Sequence, residues 1–227
     1  ERRDHLRSTY SIQSVDRPAP ALQGADIAVL AVKPQEFPAA ARDLSLKPGQ
    51  TVMSIMAGVT IETIRVTLKH DAIVRAIPNT PAQIGEGMAV WTATDAVPDA
   101  AREEVRSILA VLGQEMYVDD EKYVDMATAV SSSGPAYIFL VMEALIDAAV
   151  HIGLRRDAAQ RMVIQTILGS ARYAQATGKH PADLRNQVTS PAGTTTEGLL
   201  VLEKAGLRRA FMEAVRAAYE KTQQLGG

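Results

Sequence analysis

The stretch Thr189–Glu203, TSPAGTTTEGLLVLE, gathers residues suited to holding an anion. Ser190, Pro191 and Gly193 make a tight, non-helical entry to an apolar helical run. Thr194 and Glu197 stand three apart, the spacing of a capping box. Backbone N–H groups and hydroxyls at a helix start form a site for a carboxylate or a phosphate. The same residues also describe a well-capped structural helix, and taken alone they leave both readings open.

Other candidates sit at the ends of apolar runs. Ala31, Val32, Lys33 and Pro34 close the run that starts at Ile27. In doubly wound sheets ligands bind at the carboxyl ends of strands, so Lys33 and its turn could meet a nucleotide. Equally, Pro34 could simply begin a helix beside a solvated lysine. Asn79, Thr80 and Pro81 follow a third run and would make a β-turn in any protein. Ser131, Ser132, Ser133 and Gly134 precede Pro135 and could be only a helix cap. Glu121 lies in the charged segment DDEKYVD, which in the ordinary case is a solvated acidic patch. His5, His70 and His151 read as surface or helix-face residues, and His180 as a residue of local structure. No His/Asp/Glu spacing suggests a metal site, and no Ser/His/Asp triad is visible.

These candidates need elements to position them. Ile27–Val32, Thr51–Met56, Ala72–Ile77 and Met88–Ala93 are apolar without alternation, the pattern of strands buried on both faces, as in parallel sheets. Thr60 can cap a helix running to about Lys69, with Glu62 in its first turn. Pro98 and Gly113 bracket another helix. Residues 1–118 therefore read as an α/β, doubly wound dinucleotide-binding domain. Residues 119–227 read as an all-α domain. Gly134–Ile152 is expected to be a helix buried nearly all round, with Ser133 as its cap and Glu143, Asp147 and His151 as a narrow polar stripe. Asp157–Thr177 and Leu207–Leu225 are further amphipathic helices.

Composition narrows the function classes. The 227 residues carry a net charge of −2, so no basic surplus marks a nucleic-acid binder. There is no cysteine, which excludes disulfides, thiolate nucleophiles and Cys-ligated metals. The uncharged run Met126–Met142 holds three serines, Gly134 and Pro135, and reads as too short and polar to span a membrane. No signal peptide is visible, and a cytoplasmic protein is expected. The opening ERRDHLRSTY reads as a charged surface helix entered partway through a fold, so the chain is expected to be trimmed at its front.

Four segments carry a resemblance. HPADLRNQVTSPAGTTTEGLLVLEK (His180–Lys204) resembles the signature of pyrroline-5-carboxylate reductases. AVKPQ (Ala31–Gln35), RAIPNTPAQIGEG (Arg75–Gly87) and SSSGPAY (Ser131–Tyr137) resemble segments of the same family, in the same order. The likeness runs from about Asp26 to the end, and four motifs in register make it specific. It implies a Rossmann-like domain followed by a helical dimerisation domain, with the site at their seam. It implies NADPH or NADH as cofactor, lined by Ala31, Val32, Lys33, Pro34 and Ala57, with Asn79 beside the nicotinamide. Gln187 falls at a nicotinamide-side position that is usually Asn. Ser190, Gly193, Thr194 and Thr195 would hold the substrate carboxylate, and Glu121 would sit near the ring nitrogen. Glu121 and Thr195 are thus the catalytic candidates. The implied reaction is reduction of 1-pyrroline-5-carboxylate to L-proline, the last step of proline biosynthesis, by a self-associating enzyme with no metal, nucleic-acid or membrane partner.

The chain also departs from the family pattern. Ser132 stands where relatives more often have Gly. Asp16, Arg17 and Pro18 stand where relatives often carry an Asn that contacts the adenosine ribose. No G-x-G-x-x-G phosphate motif is present, so roughly the first two strands of the family pattern are missing. The choice of NADP over NAD is therefore not legible here. Two other classes suit the same architecture. One is another two-domain imine or β-hydroxyacid reductase, which would be expected to use a catalytic lysine or aspartate on the long helix; Gly134–Ile152 has no lysine. The other is a non-enzymatic dimeric scaffold, for which the SPAGTT loop would have no purpose.

Overall fold

The computed structural model describes residues 2–226, so Glu1 of the opening helix lies outside the described residues. The chain divides into two compact units, Glu1–Ser133 with Ala217–Gly227, and Gly134–Arg216.

The first unit is built on one five-stranded sheet in the order of the chain. After helices α1 (Arg2–Tyr10) and α2 (Pro18–Leu22) come β1 (Ile27–Leu30), a 3-10 turn (Pro34–Glu36), α3 (Phe37–Ala41), β2 (Thr51–Ser54), α4 (Ile61–Leu68) and β3 (Ile73–Ile77). β4 (Gly87–Ala93), α5 (Asp99–Val111), β5 (Gly113–Tyr117) and α6 (Lys122–Ala127) follow. All four apolar runs are strands, and every residue of β2 and β3 is buried. Val52 packs into one hydrophobic cluster with Phe37, Met56, Ile64 and Ile73. Its neighbour Met53 packs into the opposite one with Val74, Trp91, Val105 and Leu109. Successive side chains of a strand point to opposite faces, so this split puts core on both sides of the sheet.

Two features differ from the sequence expectation. The sheet is mixed: β1, β2 and β3 are parallel, but β4 runs antiparallel to β3. A parallel return needs a crossover of a dozen or more residues. Between Ile77 and Gly87 the chain makes only a short 3-10 turn, Thr80–Ile84, ended by Gly85 at φ 72°. The second feature is β5, which no apolar run announces. None of its residues is fully buried. It pairs parallel to β4 through a close backbone approach: a Cβ on Gly113 would meet Gly87 backbone atoms at 2.2 Å.

Local signals hold where a side chain makes a defined bond. Thr60 caps α4, its side chain accepting Thr63 N–H at 3.1 Å. Lys69 ends that helix in the left-handed conformation. Pro98 and Gly113 bracket α5 as expected.

The second unit is helical: α7 (Gly134–His151), α8 (Arg156–Thr177), α9 (Pro181–Gln187), α10 (Thr194–Lys204) and the first part of α11 (Leu207–Gly226). Ser133 is not a cap, which corrects the expected helix start. It is helical itself, because a π turn over Thr128–Ser132 carries α6 straight into α7. The extra residue is absorbed by the bond from Ser133 N–H to Thr128 O at 3.0 Å. The resulting run Lys122–His151 is long and apolar enough, by length and composition alone, to cross a membrane.

α7 also differs from expectation in burial. It has no buried residue, and Phe139, Leu140 and Leu145 are exposed. Among the described residues of this unit only Ala159 and Val163 are buried apolar residues. The helix is as apolar as the sequence indicates, but the chain's own elements do not cover it.

Candidate active site

In the sheet unit the sequence candidates share one edge. β1, β2 and β3 are parallel neighbours, so their carboxyl ends lie side by side, roughly 5 Å apart from strand to strand. Ala31, Val32, Lys33 and Pro34 follow β1; Ala57 follows β2; Asn79 follows β3. Val32 is half-buried against the cluster of Phe37 and Val52. Lys33 is exposed in extended backbone, and its carbonyl accepts Glu36 N–H at 2.8 Å. Ala57 packs on a third cluster formed by Ile77, Val90 and Val124. This edge thus presents small residues, open backbone and one free-standing ammonium, which suits the flat ring, sugar and phosphate of a nucleotide.

Asn79 has a structural task. Its Oδ1 accepts Met88 N–H at 2.9 Å and its Nδ2 donates to Ser131 O at 3.0 Å. The second bond answers a specific need. Pro135 has no N–H to return to the carbonyl four residues earlier, which is Ser131. Asn79 supplies the missing donor and so ties the end of β3 to the π turn.

Glu121 lies beside a residue that the sequence reading passed over. Arg75, in the middle of β3, is fully buried. Its Nη1 donates to Glu121 Oε1 at 2.6 Å and its Nη2 to Asp125 Oδ1 at 2.5 Å. Glu121 Oε1 also accepts Ile61 N–H at 2.8 Å, at the start of α4. One carboxylate oxygen thus joins β3, α4 and α6. An arginine flanked by Val74 and Ala76 in an otherwise apolar strand was the available signal, since a buried guanidinium must find carboxylates. Asp120, next to Glu121, is exposed. A hydrogen bond to the Lys122 ammonium, at 2.7 Å, holds its carboxyl below its ordinary pKa.

In the helical unit, Gln187 ends α9, Ser190 and Gly193 lie in the link to α10, and Thr194 and Thr195 begin α10. Gln187 is the exposed last residue of α9. His180 caps that helix, its Nδ1 accepting Ala182 N–H at 3.2 Å. The capping box does not form: Gly193, not Thr194, is the N-cap of α10, and no side chain caps that end. The hydroxyl that turns back belongs to Thr196, whose Oγ1 donates to Ser190 O at 2.8 Å. Gly193 N–H donates to the same carbonyl at 3.1 Å, and Ala192 is held left-handed at φ 56°. A Cβ on Gly193 would crowd the Ser190 hydroxyl and lie 3.1 Å from Ser190 O, so a larger residue here would make that serine shift. With no side-chain cap, the leading N–H groups of the helix, at Thr194 and Thr195, are left for an external acceptor. The absence of the box leaves these N–H groups without a side-chain acceptor. Among the described residues no group of His, Cys, Asp and Glu could hold a metal ion.

Residues 121–225 match the family model described as pyrroline-5-carboxylate reductase dimerisation, and residues 1–58 match that of NADP oxidoreductase, coenzyme F420-dependent. A pyrroline-5-carboxylate reductase of Synechocystis is 41% identical over 226 residues, covering 99% of this chain and 84% of the relative. The solved structure of a pyrroline-5-carboxylate reductase from Coxiella burnetii superposes with a TM-score of 0.88 at 35% identity, over 99% of this chain and 84% of that one. The Plasmodium falciparum pyrroline carboxylate reductase, solved with NADP bound, gives a TM-score of 0.89 at 32% identity, over 96% of this chain and 83% of that one.

Proposed function

The chain belongs to the pyrroline-5-carboxylate reductase family, and we propose that it reduces 1-pyrroline-5-carboxylate to L-proline with a hydride from NAD(P)H, as the last step of proline biosynthesis. The observation that carries this reading is 41% identity to a named reductase over 99% of the chain. The open sheet edge and the uncapped helix α10 support it chemically.

The residues present suit the cofactor. Ala31, Val32, Lys33, Pro34 and Ala57 would hold it along the sheet edge, and Gln187 would offer a side-chain amide to the carboxamide of the nicotinamide. When bound, the cofactor supplies the hydride that the cyclic imine carbon accepts. The protein's task is to position and to set the field. The N–H groups of Thr194 and Thr195, with the Thr195 hydroxyl, bind the substrate carboxylate, where the α10 dipole favours negative charge. Ser190 and Gly193 fix that loop. Asn79 holds the turn after β3 in place. Glu121 Oε1 is occupied by Arg75 and Ile61, so a contact to the ring nitrogen would fall to Oε2, where a carboxylate favours the iminium form. Holding donor and acceptor in near-attack geometry is a large contribution that such a site makes.

The enzyme works as a self-associated assembly, a dimer or a larger multiple of it, in the cytoplasm, with no nucleic-acid or membrane partner. The uncovered α7 and the dimerisation model support the assembly.

Thr195→Ala tests the carboxylate site. Losing a hydrogen bond to a charged group costs roughly 1.5–3 kcal/mol. The KM for the imine should therefore rise about tenfold or more in steady-state assays of the full-length protein, with the KM for NADPH unchanged. Unaltered constants for both substrates would remove this loop from the site.

A further inference from the structure

We infer that the last turn of α11 is a positioning element for the cofactor, acting through the turn that follows β2. This rests on the reading of Ala57 as a cofactor-lining residue and goes beyond it. Gly58, next to Ala57, is buried at φ +76°. A Cβ there would lie 2.6 Å from Leu225 Cβ and 2.9 Å from Thr222 O. Glycine is thus needed twice over, for its backbone conformation and for the closeness of the helix. Thr222 is 95% shielded from solvent, being only 5% exposed, and its hydroxyl donates to Ala218 O at 2.9 Å. Its outer surface is therefore covered by something other than solvent, and the Gly58 backbone is in contact with it.

A turn containing an unrestrained glycine has wide conformational freedom of its own. This one is fixed from two sides. Ala57 rests on Ile77, Val90 and Val124, and Gly58 is backed by Thr222 and Leu225. Removing the helix end would leave the turn free to sample other conformations. Only part of the population would then accept the cofactor, and the apparent affinity falls by that fraction. The carboxylate loop of α10 would be unaffected.

The test uses the full-length protein with Thr222–Gly227 removed, and NADPH as the probe. The NADPH Kd, measured by fluorescence, should rise about fivefold, while the imine KM at saturating NADPH stays within twofold. An unchanged NADPH Kd overturns the inference, as does an equal rise in both constants, which would mark general damage. Should the shortened protein fail to fold, Leu225→Gly is read by the same two criteria. Ala57→Glu in the intact protein separates the two levels. If it abolishes NADPH binding while the helix-end variants do not weaken it, the inference fails and the reading of the site stands. If Ala57→Glu leaves NADPH binding intact, the turn is not at the cofactor and both fail.

Discussion

Replacing Arg75 with alanine is expected to destabilise the sheet unit by about 3 kcal/mol, because it leaves the Glu121 and Asp125 carboxylates without their buried partner. Arg75 is fully buried and faces two carboxylates, Glu121 and Asp125, whose side chains are 28% and 20% exposed. Removing one partner of a buried pair strands the others, at a cost of roughly 3–5 kcal/mol. Partial exposure of both carboxylates puts this case at the lower end. Trp91, the single tryptophan, is buried in β4, so urea unfolding followed by its fluorescence reports on this unit. Adding Glu121→Gln to Arg75→Ala should cost much less than Glu121→Gln alone, because the charge it removes has already lost its partner. Strict additivity would show that the two are not coupled.

A protein carrying Phe139→Asp and Leu140→Asp is expected to lose self-association altogether. Both residues are more than half exposed on α7, in the part of the chain that matches the dimerisation model. Contiguous apolar faces of this extent mark interaction surfaces. A buried, unpaired carboxylate costs several kcal/mol, and about 4 kcal/mol already weakens an association roughly a thousandfold. Light scattering at micromolar concentration should give at least a dimer for the unaltered protein and a monomer for the variant. The unaltered protein running as a monomer, or the variant keeping its mass, would show that α7 is not the interface.

Features with a one-dimensional signature were legible in the sequence. β2 and β3 are buried on both faces, and their largely apolar runs, without polar alternation, say so. Thr60 caps α4 through a bond made within four residues. Features that depend on what the chain meets in space were not legible. β5, with its polar sequence Gly-Gln-Glu-Met-Tyr, is a strand because Gly87 lets Gly113 approach. β4 turns back antiparallel because its connection is too short to cross over. Thr194 and Glu197 have the spacing of a capping box, yet the turn at Ser190–Gly193 moves the helix start by one residue. The three serines before Pro135 look like a cap, yet Asn79 supplies the bond that lets the helix continue through them. Glu121 and Asn79, both chosen from family likeness, prove to hold the fold together at the sheet edge. Their partner Arg75 was readable only as an anomaly, a charge in an apolar strand. The burial expected of α7 is not met within the chain, because hydropathy reports that a face is apolar, not what covers it.

The most direct test of the account is the reaction itself. Purified full-length protein, supplied with NADPH and 1-pyrroline-5-carboxylate, is followed by loss of NADPH absorbance, and the product is identified by chromatography. The account predicts oxidation that depends on both the imine and the protein, with L-proline formed mole for mole. NADPH that binds but is not oxidised above the imine-free rate, or is oxidised without yielding proline, would contradict it.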